Sequence, residues 1–204
     1  RTLPSRAMNR RGLLAGFALA ATPLAALSHA RTARAAGEFR IGYQKGSSNL
    51  LVLKSRESLE EALSPLGFAV TWTEFTSGPP LLEALNAGSL DFGATGAPPP
   101  IFAQAAGADL IYALASKASP LTNAILVPKD SPIADPAGLK GQQVAVAKGS
   151  SAQALLIKAL EQAGLRWEDV EPVYLQPADA KAAFEGGSVG AWSIWDPYYA
   201  AEEL

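Results

Sequence analysis

Cysteine is absent from the 204 residues, and histidine occurs once, at His29. Without thiols the chain has no disulfide, no iron–sulfur cluster, no thiolate zinc site and no Cys nucleophile. His29 lies in a segment that reads as removable. The mature chain then has no imidazole for a Ser-His-Asp triad or a His-ligated metal centre. Aromatic residues make up only 8% and charged residues 18%, against 49% hydrophobic, which is a globular balance rather than a disordered or collagen-like one. Long apolar runs are also missing. The longest, residues 12–27, is rich in Ala and Gly and broken by Pro23, whereas a membrane span needs about 20 strongly apolar residues. The 18 Gly and 15 Pro are spread along the chain as turn punctuation. The length suits one large domain or two small ones.

The first thirty-five residues read as an address. Met8-Asn9-Arg10-Arg11 is a basic start, the run 12–27 is an apolar middle, and Ala33-Arg34-Ala35 is a small-x-small cleavage site. That order is a secretory signal peptide, with cleavage expected after Ala35. The Arg10-Arg11 pair, followed by Gly-Leu-Leu, has the look of a twin-arginine signal. Six of the 17 basic residues fall in this segment and no acidic one does. From Ala36 onward the net charge is −8. A nucleic-acid partner asks for a basic stripe, so none is expected.

The remainder alternates strand and helix. Strands are expected at 39–43, 70–75, 91–95, 110–115, 124–127, 143–147, 172–175 and 191–195, from alternating or β-branched runs. Helices are expected at 50–63, 81–87, 101–106, 152–163 and 178–184, from apolar periodicity, caps and closing glycines. The pattern restarts near residue 120, which predicts an α/β chain of two lobes, each a parallel-rich sheet with helices on both faces. Trp72 and Phe75 are expected in the core, and Asp91 as a turn or capping residue.

In open α/β sheets, ligands sit beyond the carboxyl ends of the strands, where helix N-termini point. Four loops rich in Gly, Ser, Thr and Pro fall there: 44–49, 76–80, 95–99 and 148–152. Two share a form. Gln44-Lys45-Gly46-Ser47-Ser48 and Lys148-Gly149-Ser150-Ser151 each join a strand to a helix. Glycine lets backbone approach a ligand, hydroxyls and amides donate, and the helix dipole favours negative charge. The bland alternative is that the serines only cap their helices. Neither loop has the Gly-Lys-Ser/Thr order of a nucleotide-binding loop. Trp195, before Asp196-Pro197, stands at a strand's carboxyl end, where it either walls a pocket or packs in its own lobe.

Ile41-Gly42-Tyr43-Gln44-Lys45-Gly46, Trp72-Thr73-Glu74-Phe75, the run 96–107 (GAPPPIFAQAAG), Lys148-Gly149-Ser150-Ser151 and the run 191–199 (AWSIWDPYY) resemble the aliphatic sulfonate-binding proteins of bacterial ABC importers. The resemblance runs from about Phe39 to the end. It implies a two-lobed periplasmic-binding-protein fold of type II. The first lobe would occupy 36–122, the second 123–196, and 197–204 would begin a return to the first. It implies a monomer in the periplasm that captures an alkanesulfonate or related small anion and delivers it to an inner-membrane ABC permease in sulfur metabolism. No catalytic residue, cofactor or metal is implied. Loops and resemblance together put the ligand on Gln44, Gly46, Ser47, Ser48, Gly78, Thr95, Gly96, Gly149, Ser150, Ser151, Trp195 and Asp196. Family members often carry an acidic residue where this chain has Ala97, and they continue past the point where this chain stops, which implies an incomplete first lobe. The alternatives are a same-fold receptor for taurine, nitrate or a thiamine pyrimidine precursor, or a pyrimidine-synthase-like enzyme. The enzyme would ask for His and Cys or a Schiff-base lysine in the cleft.

Overall fold

Residues 37–117 and 119–203 are described by a computed structural model of the chain, and the signal peptide expected over 1–35, with its cleavage site, lies outside them. Strand β1 (Gly37–Tyr43) becomes fully buried towards its carboxyl end. The expected helix over 50–63 forms as two, α1 (Ser48–Ser55) and α2 (Ser58–Leu63). The break has a local cause. The Ser55 hydroxyl bonds back to the Val52 carbonyl, which bends helices, and Glu57 takes the left-handed conformation at φ 54°. Strand β2 (Phe68–Glu74) pairs in parallel with β1 from Gly37 opposite Phe68 to Tyr43 opposite Glu74.

Helix α3 (Gly78–Asn86) opens on prolines, and β3 (Phe92–Gly93) then pairs in parallel with the other edge of β1. The strand expected over 91–95 is thus only two residues long. The first sheet has the order β2-β1-β3. Leu81 of α3 is fully buried on it. The approach depends on two glycines: a Cβ at Gly93 would lie 2.5 Å from Leu81 Cδ2, and one at Gly42 2.6 Å from Leu90 Cδ1. On the opposite face Ile41, Tyr43 and Leu50 pack with Val70 and Trp72. Trp72 meets the Tyr43 ring edge-on and donates to Glu60 Oε1 at 2.7 Å, while Phe75 packs against the Leu81 cluster. Asp91 accepts from the Arg40 backbone amide at 2.9 Å and pairs with its guanidinium at 2.8 Å. That pair pulls the Asp91 carboxyl down to about 2.

Helix α4 (Pro98–Ala105) follows. The strand expected over 110–115 does not form. The stretch runs unpaired, with Ile111 and Leu114 91% and 85% exposed. Apolar content favours a strand only where a ladder partner is available, and the open edge of the first sheet beyond β3 is only two residues long. Between β3 and this stretch lies an apolar hollow of about 380 Å³, lined by Leu82, Leu85, Ile101, Leu110 and Ile111 among others.

The second sheet is built from β4 (Asn123–Leu126), β5 (Gln143–Val146), β6 (Glu171–Tyr174) and β7 (Ala191–Trp195), in the order β4-β7-β5-β6. Strand β4 pairs antiparallel with β7 while β5 pairs in parallel with both β6 and β7, so the sheet is parallel-rich as expected, with one antiparallel edge. A crossover helix within one sheet makes neighbours parallel. The chain reaches β4 directly from the other lobe, so nothing imposes that direction. Helix α5 (Ser151–Gln162) covers one face through Leu156 and Leu160, which pack with Val144 and Ala191. Each such buried leucine contributes about 1.5–3 kcal/mol. Helix α6 (Pro177–Glu185) covers the other face through Ala180 and Phe184, beside Trp192. With both faces covered, all five residues of β7 are buried. Helix α7 (Tyr198–Glu202) closes the described chain. Lys181 pairs with Glu202, tying α6 to α7, and Tyr199 donates to the Leu121 carbonyl. The described residues belong to one compact unit.

Candidate functional site

The carboxyl ends of the two sheets face one another, and their loops meet at four places. A Cβ at Gly46 would lie 2.7 Å from the Asp196 carbonyl oxygen. One at Gly96 would lie 3.2 Å from Ser151 Cβ, and one at Gly149 would lie 3.4 Å from Pro79 Cγ. Thr76 and Ser77, ahead of α3, both donate to Gln176 Oε1, at 2.9 and 3.1 Å. Glycine stands at three of these four crossings for different reasons: at Gly46 a side chain would collide with the backbone of the other lobe, at Gly96 it would crowd Ser151, and at Gly149 the positive φ favours glycine.

The two Lys-Gly-Ser-Ser loops look alike in sequence and are wired differently. In the first, the Ser47 hydroxyl accepts from the Gln44 amide at 3.1 Å, and the Gln44 carbonyl accepts from the Ser47 amide at 2.9 Å. Gln44 Nε2 reaches the Ala94 carbonyl at 3.0 Å, so this loop is tied to the one after β3. Ser48 is exposed at the start of α1. In the second loop Ser150 is 1% exposed. Its hydroxyl donates to the Ala147 carbonyl at 2.6 Å and accepts from the Gln153 amide at 3.2 Å, as an N-cap does. Gly149, at φ +72°, turns its amide onto Gln153 Oε1 at 2.6 Å. The Ser151 hydroxyl donates to Asn123 Oδ1 at 3.0 Å. Each lysine lies over a tyrosine ring, Lys45 Nζ 5.7 Å from the Tyr198 centroid and Lys148 Nζ 5.6 Å from that of Tyr174.

The loop after β3 lies between these two. Ala94 is bonded to Gln44, and Gly96 abuts Ser151. Thr95 Oγ1 is sealed from solvent with no hydrogen-bond partner among the described residues. A Cβ at Gly78 would lie 2.2 Å from it, so this hydroxyl lies against the start of α3. Asp196 Oδ1 is likewise sealed and without a partner among the described residues. Trp195 is 9% exposed and belongs to the second lobe's core cluster. Its Cδ1 nevertheless lies 3.9 Å from the position a Gly46 Cβ would take, and its ring meets Tyr198 edge-on at 6.3 Å. Burial, with the Glu74 carboxylate second, pushes the Tyr198 phenol above its ordinary value, so it is a proton donor at neutral pH. Ala97 is exposed, as the residue before α4.

Four of the helix starts at the cleft differ in what they can donate. Helix α3 begins Gly78-Pro79-Pro80 and α4 begins Pro98-Pro99-Pro100. Proline has no N–H, so α4 offers no amide in its first three positions and α3 offers one. Helices α1 and α5 begin Ser48-Asn49-Leu50 and Ser151-Ala152-Gln153, with an amide at every position, of which that of Ser48 is taken by the Gly46 carbonyl at 2.9 Å and that of Gln153 by the Ser150 hydroxyl at 3.2 Å. The first amides of a helix have no partner within it.

The twelve residues expected at the ligand fall on loops, strand ends or the first residues of helices bordering this cleft, and among them Ser150 alone has its hydroxyl both donating and accepting within its own loop and helix. Sequence reading missed Asn123, Gln176 and Tyr198. Gln176 has a readable signal: Gln176-Pro177 joins β6 to α6 in the same strand-to-helix position as the four loops singled out. Asn123 opens the antiparallel strand, and no strand-to-helix signal marks it.

Residues 67–203 match the family described as NMT1/THI5 like. The crystal structure of the periplasmic aliphatic sulphonate binding protein from Escherichia coli is 53% identical, with a TM-score of 0.71, over 82% of this chain and 57% of that one. The alkanesulfonate-binding protein from Xanthomonas axonopodis pv. citri, solved bound to MOPS, is 49% identical with a TM-score of 0.78, over 81% of this chain and 56% of that one. The chain spans about half the length of the curated relatives it matches. An aliphatic sulfonates-binding protein named in Escherichia coli K12 is 54% identical over 81% of this chain and 51% of that relative. The similarity to sulfonate-binding proteins expected from the motifs is found, and the fold is the two-lobed α/β fold that they share. On the match over residues 67–203, the chain belongs to the NMT1/THI5-like family.

Proposed function

We propose that the chain is the ligand-capturing part of a periplasmic solute-binding protein that takes up aliphatic sulfonates and hands them to an ABC permease, without catalysis. The observation that carries this reading is the distribution of amide donors. Helices α1 and α5, on opposite lobes, open with residues that carry N–H groups, whereas the first turns of α3 and α4 are filled mostly by proline. A sulfonate is a permanent anion with three acceptor oxygens, and oriented amides and hydroxyls satisfy it without a buried counter-charge. Gly46, Ser47, Ser48, Thr95, Gly96, Ser151 and the amide of Ala152 are the groups we assign to it. Trp195 and Tyr198 form the apolar wall beside them. Relatives named as binding proteins support the non-catalytic reading, as does the leader-like segment over 1–35 for export.

One observation favours a second reading. The unpartnered Asp196 Oδ1 is an acceptor that an ammonium group would satisfy, which suits an aminosulfonate. A taurine-binding periplasmic protein of Escherichia coli is 29% identical over 177 residues. Calorimetric titration of the full chain with linear alkanesulfonates, taurine, nitrate and sulfate separates the readings. Tightest binding to alkanesulfonates is expected. Preference for taurine selects the second reading, and binding of nitrate or sulfate alone would refute both.

A further inference from the structure

We propose that Gln176 is a clasp that holds the two lobes together independently of the ligand and sets how fast the ligand leaves. The proposal builds on the sulfonate-capture reading above. Thr76 and Ser77 follow β2, the outer strand of the first sheet, and Gln176 follows β6, the outer strand of the second. The connection between lobes enters at β4, the far edge of the second sheet from β6. The bridge therefore closes the side of the cleft remote from that connection, where a small opening rotation gives the largest separation.

Local chemistry explains why these side chains reach across. Ser77 is the N-cap of α3 and Gln176 the N-cap of α6, and neither makes a side-chain bond to its own helix. An N-cap serine ordinarily accepts from the amide two or three positions on. In α3 those positions are Pro79 and Pro80, which have no N–H. Denied a partner at home, the Ser77 hydroxyl is 0% exposed and donates to Gln176 Oε1 at 3.1 Å, beside the Thr76 hydroxyl at 2.9 Å. The bridge holds for either orientation of the Gln176 amide, because hydroxyls both donate and accept.

The absence of cysteine makes the test clean. Spin labels at Glu61→Cys in the first lobe and Gln162→Cys in the second report the distance between lobes in the full, ligand-free protein. Gln176→Leu should lengthen and broaden that distance, and Gln176→Glu, which keeps an acceptor, should not. Pro80→Ala restores an amide to α3 and should shift the distance as Gln176→Leu does, without removing any atom from the bridge. With an alkanesulfonate bound, Gln176→Leu should speed release about tenfold with little change in association rate. Wild-type distances and release rates in Gln176→Leu would overturn the clasp. If no sulfonate binds the wild type, the capture reading fails, and the ligand-free distances still decide the clasp.

Discussion

Replacing Ser150 by alanine removes one hydroxyl that serves two backbone groups. It caps α5 by accepting from the Gln153 amide, and it donates to the Ala147 carbonyl at the end of the preceding strand. Loss of an N-cap costs about 1 kcal/mol. Ala147 is 4% exposed, so its carbonyl, left short of a donor, adds about 1 kcal/mol more. The sum of about 2 kcal/mol lowers the melting temperature by roughly 4–8 °C for a domain of this size. The hydroxyl's hydrogen is already committed, so sulfonate affinity measured well below the melting point should stay within about twofold of wild type, or about 0.4 kcal/mol. Ser151→Ala is the contrast. Its hydroxyl donates to a half-buried side chain, Asn123, rather than to a sealed backbone carbonyl, so it is free to exchange that partner for a ligand oxygen, and stability should change by less than about 1 kcal/mol while affinity falls. Thermal melts and calorimetry on both variants test the assignment. Unchanged melting of Ser150→Ala together with weakened binding would show that its hydroxyl faces the ligand, and the reasoning would be wrong.

Gly46→Ala places a methyl 2.7 Å from the Asp196 carbonyl, so it should hold the lobes apart and weaken sulfonate binding while thermal stability is kept; wild-type affinity would show that the loops part without loss. Asp91→Asn should lower stability at neutral pH. The Asp91 carboxyl is lowered from 3.8 to about 2 by Arg40, so its contribution is present above about pH 4 and fades as pH falls through 2. Urea melts of Asp91→Asn and wild type should therefore converge near pH 2, and a constant gap across that range would count against the ion pair. Trp195→Ala removes a buried ring and should destabilise by about 3–5 kcal/mol. If the ring also covers the ligand's tail, affinity for long alkanesulfonates should drop more than for short ones, and a uniform loss would leave Trp195 a core residue only.

Elements with their own periodicity and punctuation are legible in the amino-acid sequence. Helix α5 is one, because Leu156 and Leu160 recur at one face and Gly164 follows its end. Strand β7 is another, since its apolar run fits burial on both faces. What the sequence does not carry depends on partners. The stretch 110–115 has strand composition, and the open edge nearest it, that of β3, is only two residues long. Strand β4 takes its direction from where the chain arrives, which no local pattern records. The interruption at Arg56–Glu57 rests on a serine bonding back to its own turn. At the cleft, the repeated Lys-Gly-Ser-Ser points to the right loops. It does not show that one serine's hydroxyl is consumed by its helix while the equivalent first-loop serine closes a turn, because both sit at the same place in the motif.

The proline openings of α3 and α4 have a consequence for the way round a bound amphiphile lies. These helix ends still carry the positive end of a dipole, yet have almost no hydrogen to share, so a charged headgroup placed there would lose water without replacing it. A molecule with one anionic and one apolar end thus has a single productive direction in the cleft, headgroup to α1 and α5, carbon to the rest. Bulk added far from the sulfur should be tolerated, and branching on the carbon next to it should not.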